Sequence, residues 1–240
     1  MRGITKIIAI AIAILASTLW ASSASALTPQ QTRECQQKLP PAYVKVQFIP
    51  ARPEVKTLPG KQLAQTVKQA SETTFNGAIA GWTDGLLEVT VDISAEQWLL
   101  SPTELCFSPM VSVDLSFRVM NVFVASELTQ DPCAYHYVVD HEMTHVVFNN
   151  EAMEKAAEEL RRALLRRQFE NQGPIATTPQ GLNMAIRQMK SSIATSAHRI
   201  FSQHNNQHGL IDNHAMRAKS LAVCNAAIPG LLNGEPKPPG

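Results

Sequence analysis

Residues 43–49 alternate as Tyr-Val-Lys-Val-Gln-Phe-Ile, and the same period of two returns over 86–93 with β-branched side chains, which predicts two half-buried strands. Between them, residues 60–72 read as a helix. Over 111–125 the alternation resumes with Val111, Val113, Leu115, Phe117 and Val119 on one face, which fits a hairpin or one long strand. Past Cys133 the strand signals stop, and Ala, Leu, Glu and Arg set a helical texture after the break at Asp131-Pro132. One helix is predicted over 135–148 and a second over 151–170, with a bend where Asn149-Asn150 offers an N-cap. A third is predicted over 182–203, with Leu182, Ile186, Met189, Ile193, Ala197 and Ile200 on one stripe, and a shorter one over 212–227. Residues 171–181, with two Pro and two Gly, should form a loop, and the Pro- and Gly-rich 229–240 a flexible tail. The expected fold class is α+β, an N-terminal antiparallel β-rich half followed by a helical half.

The first 26 residues fall outside this scheme. Arg2 and Lys6 precede the apolar run 7–15, and Ala24-Ser25-Ala26 supplies a small-x-small cleavage site, so residues 1–26 read as a secretory signal peptide. The expected product is an exported protein, periplasmic or secreted, with one domain over 27–228 and no membrane span after cleavage. Lys and Arg total 21 against 20 Asp and Glu, with no basic stripe, which argues against nucleic acid as a partner. In an exported chain the four cysteines, Cys35, Cys106, Cys133 and Cys224, imply two disulfides. Of the three possible pairings, Cys106 with Cys133 and Cys35 with Cys224 is the expected one. The first would clamp the strands between them and the second would tie the ends of the domain.

Within the first predicted helix stands His141-Glu142-Met143-Thr144-His145, an HExxH motif. Histidines at i and i+4 share a helix face, so both imidazoles can hold one metal ion. Glu142, about 100° around the axis, can reach a water at that metal without being a ligand. Val139, Met143, Val146 and Val147 are expected to form the opposite face and fasten the helix to a core. No nucleophile elbow, phosphate loop or dinucleotide-binding glycine pattern competes with this motif.

These five residues resemble the HExxH of the zincin metallopeptidases. More loosely, Cys133-Ala134-Tyr135, the motif itself and His208-Gly209 resemble a family of exported bacterial proteins regarded as zinc proteases. The resemblance implies Zn2+ held by His141 and His145, Glu142 as catalytic general base, and a peptide or protein substrate. The third ligand stays open. His208 ranks first, because Gly209 can end a helix there and a separate element can approach the metal face directly. Glu151 has the metzincin offset, but Phe148 stands where that branch has glycine, and on an unbroken helix Glu151 would point away. Asp212, His204 and His214 follow, and Glu154, Glu158 and Glu170 are expected on the continuation of the motif's own helix. Tyr135 or Tyr137 is a candidate oxyanion donor. The reading is thus a secreted zinc-dependent hydrolase, most simply a peptidase. The alternative is a non-catalytic exported zinc-binding or envelope-associated protein.

Overall fold

The strand β4 (Glu104–Ala125) organises the molecule, since every other strand pairs with it. In the computed structural model, residues 27–71, 78–170, 175–205 and 223–234 are described. The strand β3 (Gly81–Ser101) turns through Pro102-Thr103 into β4 and runs antiparallel to it along its length. Along the other side of β4 lie, in succession, β5 (Ile175–Thr177), β1 (Tyr43–Phe48) and β2 (Glu54–Leu58). Both β1 and β2 run parallel to β4, so the sheet is mixed and not the antiparallel sheet expected. Period-two alternation shows that a strand is half-buried and carries no information about its direction.

Helix α2 (Gly60–Ser71) lies where a helix is predicted over 60–72, whereas α1 (Pro29–Lys38), ahead of the first strand, and β5, within the predicted loop 171–181, were not expected. Helix α1 starts at a capping box in which Thr28 and Gln31 satisfy each other's backbone N–H groups. At the start of α2 the Gly60 N–H donates to the Glu127 carboxylate at 3.0 Å, an anion at a helix N-terminus.

One face of the sheet is covered by α3 (Pro132–Glu170) and α4 (Pro179–Asn205). Val111, Val113 and Leu115 of β4 meet Met153, Ala156 and Leu160 of α3 and Ile193, Ala197 and Ile200 of α4. A second cluster gathers Met120, Val122 and Val124 with Leu128, Val138 and Val146 and with Ile228 and Leu231 of α5 (Ala227–Leu232). The buried positions of β4 change from odd to even between Leu115 and Met120. The cause is a β-bulge: Leu87 pairs with Phe117 and Leu86 with Val119, which leaves Arg118 as an extra residue. Val119 is therefore exposed instead of extending the expected face.

The predicted bend at Asn149-Asn150 does not occur, and α3 is one helix of 39 residues. The two asparagines serve other ends. Asn149 is buried, and the Asn150 carboxamide accepts the Ala51 N–H at 3.2 Å, holding the β1–β2 connection against the helix. The disulfides join Cys35 to Cys106 and Cys133 to Cys224, a different pairing from the one expected. Cys106 points to the face of β4 opposite Leu105 and Phe107 and meets α1 there, while Cys133 opens α3 and meets the segment just before α5. Spacing along the chain could not reveal either arrangement.

Residues 212–222 of the helix predicted over 212–227 lie outside the described residues, and Val223–Ala226 is a tight turn with positive φ at Cys224, Asn225 and Ala226. Buried Ile228 and Leu231 keep the chain packed through α5, so the expected loose tail does not begin at Pro229. Among the described residues no helix is long and apolar enough to cross a membrane. The predicted signal peptide, His208, Asp212 and His214 lie outside the described residues.

Candidate catalytic site

Helix α3 begins where Asp131-Pro132 predicts a break. The Asp131 carboxylate accepts the N–H groups of Cys133 at 2.9 Å and Ala134 at 3.3 Å, and Pro132 occupies the first turn, where its missing N–H costs nothing. From there a buried stripe runs through Ala134, Val138, Glu142, His145, Asn149, Met153, Ala156 and Leu160. The spacing of three and four is that of a helix face turned to a core. Its middle is polar. Glu142 is 6% exposed and His145 7% exposed, and they sit where α3 passes from one hydrophobic cluster to the other.

This orientation differs from the one expected. Of the residues assigned to the core-facing side, Val146 is buried, Val139 and Met143 are half-buried, and Val147 is 51% exposed. Glu142 and His145 face inward with the apolar stripe because Val138 and Met153, one turn before and two turns after, fix the helix rotation. The valines near the motif lie over too wide an arc to define one face.

The two histidines meet as their spacing requires, with ring centroids 5.2 Å apart and ring planes at 84°. His141 is half-buried, at the rim of the site. Glu142 turns toward the start of β3. The Thr83 hydroxyl lies 2.8 Å from Glu142 Oε2 and 3.0 Å from the main-chain oxygen of the same residue. Gly81, two residues earlier, has no side chain to obstruct this approach: a Cβ there would fall 2.6 Å from Glu142 Oε1 and 2.7 Å from Val138 Cγ1. Sequence reasoning missed both residues. A glycine opening a strand is the one signal that could have pointed to a close approach.

The candidate third ligands separate clearly. Glu151 is exposed and lies 4.0 Å from Lys155 on the outer face of α3, which is where an unbroken helix places it. Glu158 lies 3.8 Å from Arg162 on the same exposed surface, and Glu154 is also exposed. His204 of α4 is bonded to Glu159 at 3.0 Å. Glu159 stands roughly 21 Å along α3 from His145 at 1.5 Å per residue, so His204 serves the contact between α3 and α4 and not the motif. Among the described residues no three His, Cys, Asp or Glu side chains gather as a metal-binding group. Tyr135 and Tyr137 are half-buried and pack against the second cluster. Comparison of the chain with protein-family models, with curated proteins and with solved structures yields no match.

Proposed function

We propose that the chain is an exported zinc-dependent hydrolase that cleaves peptide bonds, with His141 and His145 as metal ligands and Glu142 as general base. The observation that supports this reading most is the polar band of α3. Burying a carboxylate and an imidazole in the middle of an otherwise apolar stripe requires polar partners for both, whereas Ala or Leu at either position would pack with none. Two imidazoles on one helix face are a donor set suited to zinc. Such a site needs a third donor, and His208, the first choice on sequence, lies outside the described residues. Export follows from the sequence of residues 1–26 and agrees with a chain whose four cysteines are all paired.

Bound zinc would supply a Lewis acid and a water of lowered pKa. Glu142 would accept a proton from the attacking water at its carboxylate and return it to the departing amine. Its burial keeps bulk water from competing for that proton. Among the described residues β3 pairs only with β4, so its outer edge offers unpaired main-chain groups. A peptide added along that edge would run past Gly81 and Thr83, the residues that abut Glu142.

The test is metal analysis and digestion of a peptide library by residues 27–240, alongside Glu142→Gln and His145→Ala. Glu142→Gln should keep its metal and lose activity by about 10²–10⁴-fold, the usual contribution of a general base. His145→Ala should lose the metal. Wild-type rates in Glu142→Gln would exclude Glu142 as the base, and bound metal without any cleavage would favour the non-catalytic binding protein.

A further inference from the structure

Gly81 and Thr83 are two residues apart on β3, so they face the same side of the strand, toward α3. The backbone at Gly81 leaves the space that the Glu142 carboxylate enters, and the Thr83 hydroxyl then has its one proton to share between two acceptor oxygens of Glu142. Its hydroxyl is within hydrogen-bond reach of the carboxylate and of the main-chain oxygen beside the same Cα. The three torsions of the Glu142 side chain lie between those two oxygens, so one hydroxyl near both limits the rotamers open to the carboxylate. Threonine suits the task because branching at Cβ stiffens χ1, and the strand backbone then sets the direction of the hydroxyl.

We propose that Thr83 is the positioning residue of Glu142. This rests on the reading of Glu142 as general base. A simple tether between helix and sheet does not account for the contact. Helix α3 is already held by hydrophobic clusters on both sides of the motif and by the Cys133–Cys224 bond at its start, and a tether has no need to touch the carboxylate.

The test compares Thr83→Val, which keeps the shape and removes the hydroxyl, with Thr83→Ser, which keeps the hydroxyl. Thr83→Val should retain its metal and a KM within about twofold of wild type while kcat falls about 10- to 100-fold, the range for losing a hydrogen bond to a charged group. Thr83→Ser should restore most of kcat. Crystal structures of the metal-free variants give a reading independent of activity: the Glu142 carboxyl should leave its place in Thr83→Val and keep it in Thr83→Ser. Should Thr83→Val not fold, Thr83→Ala takes its place in the same comparison. An unmoved Glu142 in the hydroxyl-free variant, or an equal loss of kcat in the serine and valine variants, overturns the proposal. If wild type cleaves no peptide, the hydrolase reading falls, and the position of Glu142 in the two variants still decides what Thr83 does.

Discussion

Gly81 has an ordinary backbone conformation, so what the fold asks of it is space. On an open strand, exchange of glycine for alanine stabilises, because glycine loses more backbone entropy on folding. At Gly81 the new methyl would lie 2.6 Å from Glu142 Oε1 and 2.7 Å from Val138 Cγ1, and buried Val138 has no room to yield. Gly81→Ala should therefore destabilise by about 1–3 kcal/mol, as overpacking does. For a chain of this size that is a fall in Tm of roughly 2–12 °C. A thermal melt decides it by sign, since a rise in Tm would mean that the helix does not approach β3 as closely as described. The motif itself was legible because its residues lie within five positions and helical geometry does the rest. Gly81 and Thr83 were not, since they reach Glu142 from about 60 positions upstream through a fold that local spacing cannot encode.

At the scale of the element, the least visible feature of the sequence is Arg118. Alternation in β4 predicts one face through Val119, whereas the bulge moves the buried positions to Met120, Val122 and Val124. An extra residue flips every side chain beyond it. Deleting Arg118 should turn those three side chains to the far face of the sheet at about 1.5–3 kcal/mol each, a total comparable to the stability of a whole domain. Arg118→Ala, an exposed position, should stay within about 0.5 kcal/mol of wild type. Soluble yield and melting curves of the two variants separate the loss of a side chain from the loss of a register. A deletion variant that melts like wild type would show that the bulge does not set the face. Helix α3 failed in the opposite sense. Asn149-Asn150 looks like a cap, but Asn150 spends its carboxamide on Ala51 and the helix continues. Composition identifies groups able to cap a helix, and only tertiary contacts show which backbone they serve.

Across the whole molecule, the two disulfides differ in access. Cys35 of α1 and Cys106 are fully buried, whereas Cys133 is exposed and Cys224 half-buried. Thiol–disulfide exchange needs access to a sulfur, so a dithiol reductant under native conditions should open Cys133–Cys224 first. Once it opens, Cys224, Asn225 and Ala226 are free to leave left-handed conformations that cost roughly 1–2 kcal/mol per residue. Helix α5 then depends on Ala227, Ile228 and Leu231, with Leu232 beside them, for its seat in the second cluster. On the proposed reading, with His208 as third zinc ligand sixteen positions before Cys224, reduction of this bond should also lower retention of zinc. Alkylation followed by peptide mass spectrometry should find Cys133 and Cys224 labelled while Cys35 and Cys106 stay protected, with loss of metal tracking the labelled fraction. Labelling of Cys35 and Cys106 at the same rate would contradict the ordering. Full metal retention after selective opening would place the remaining ligand elsewhere than in the segment this bond anchors.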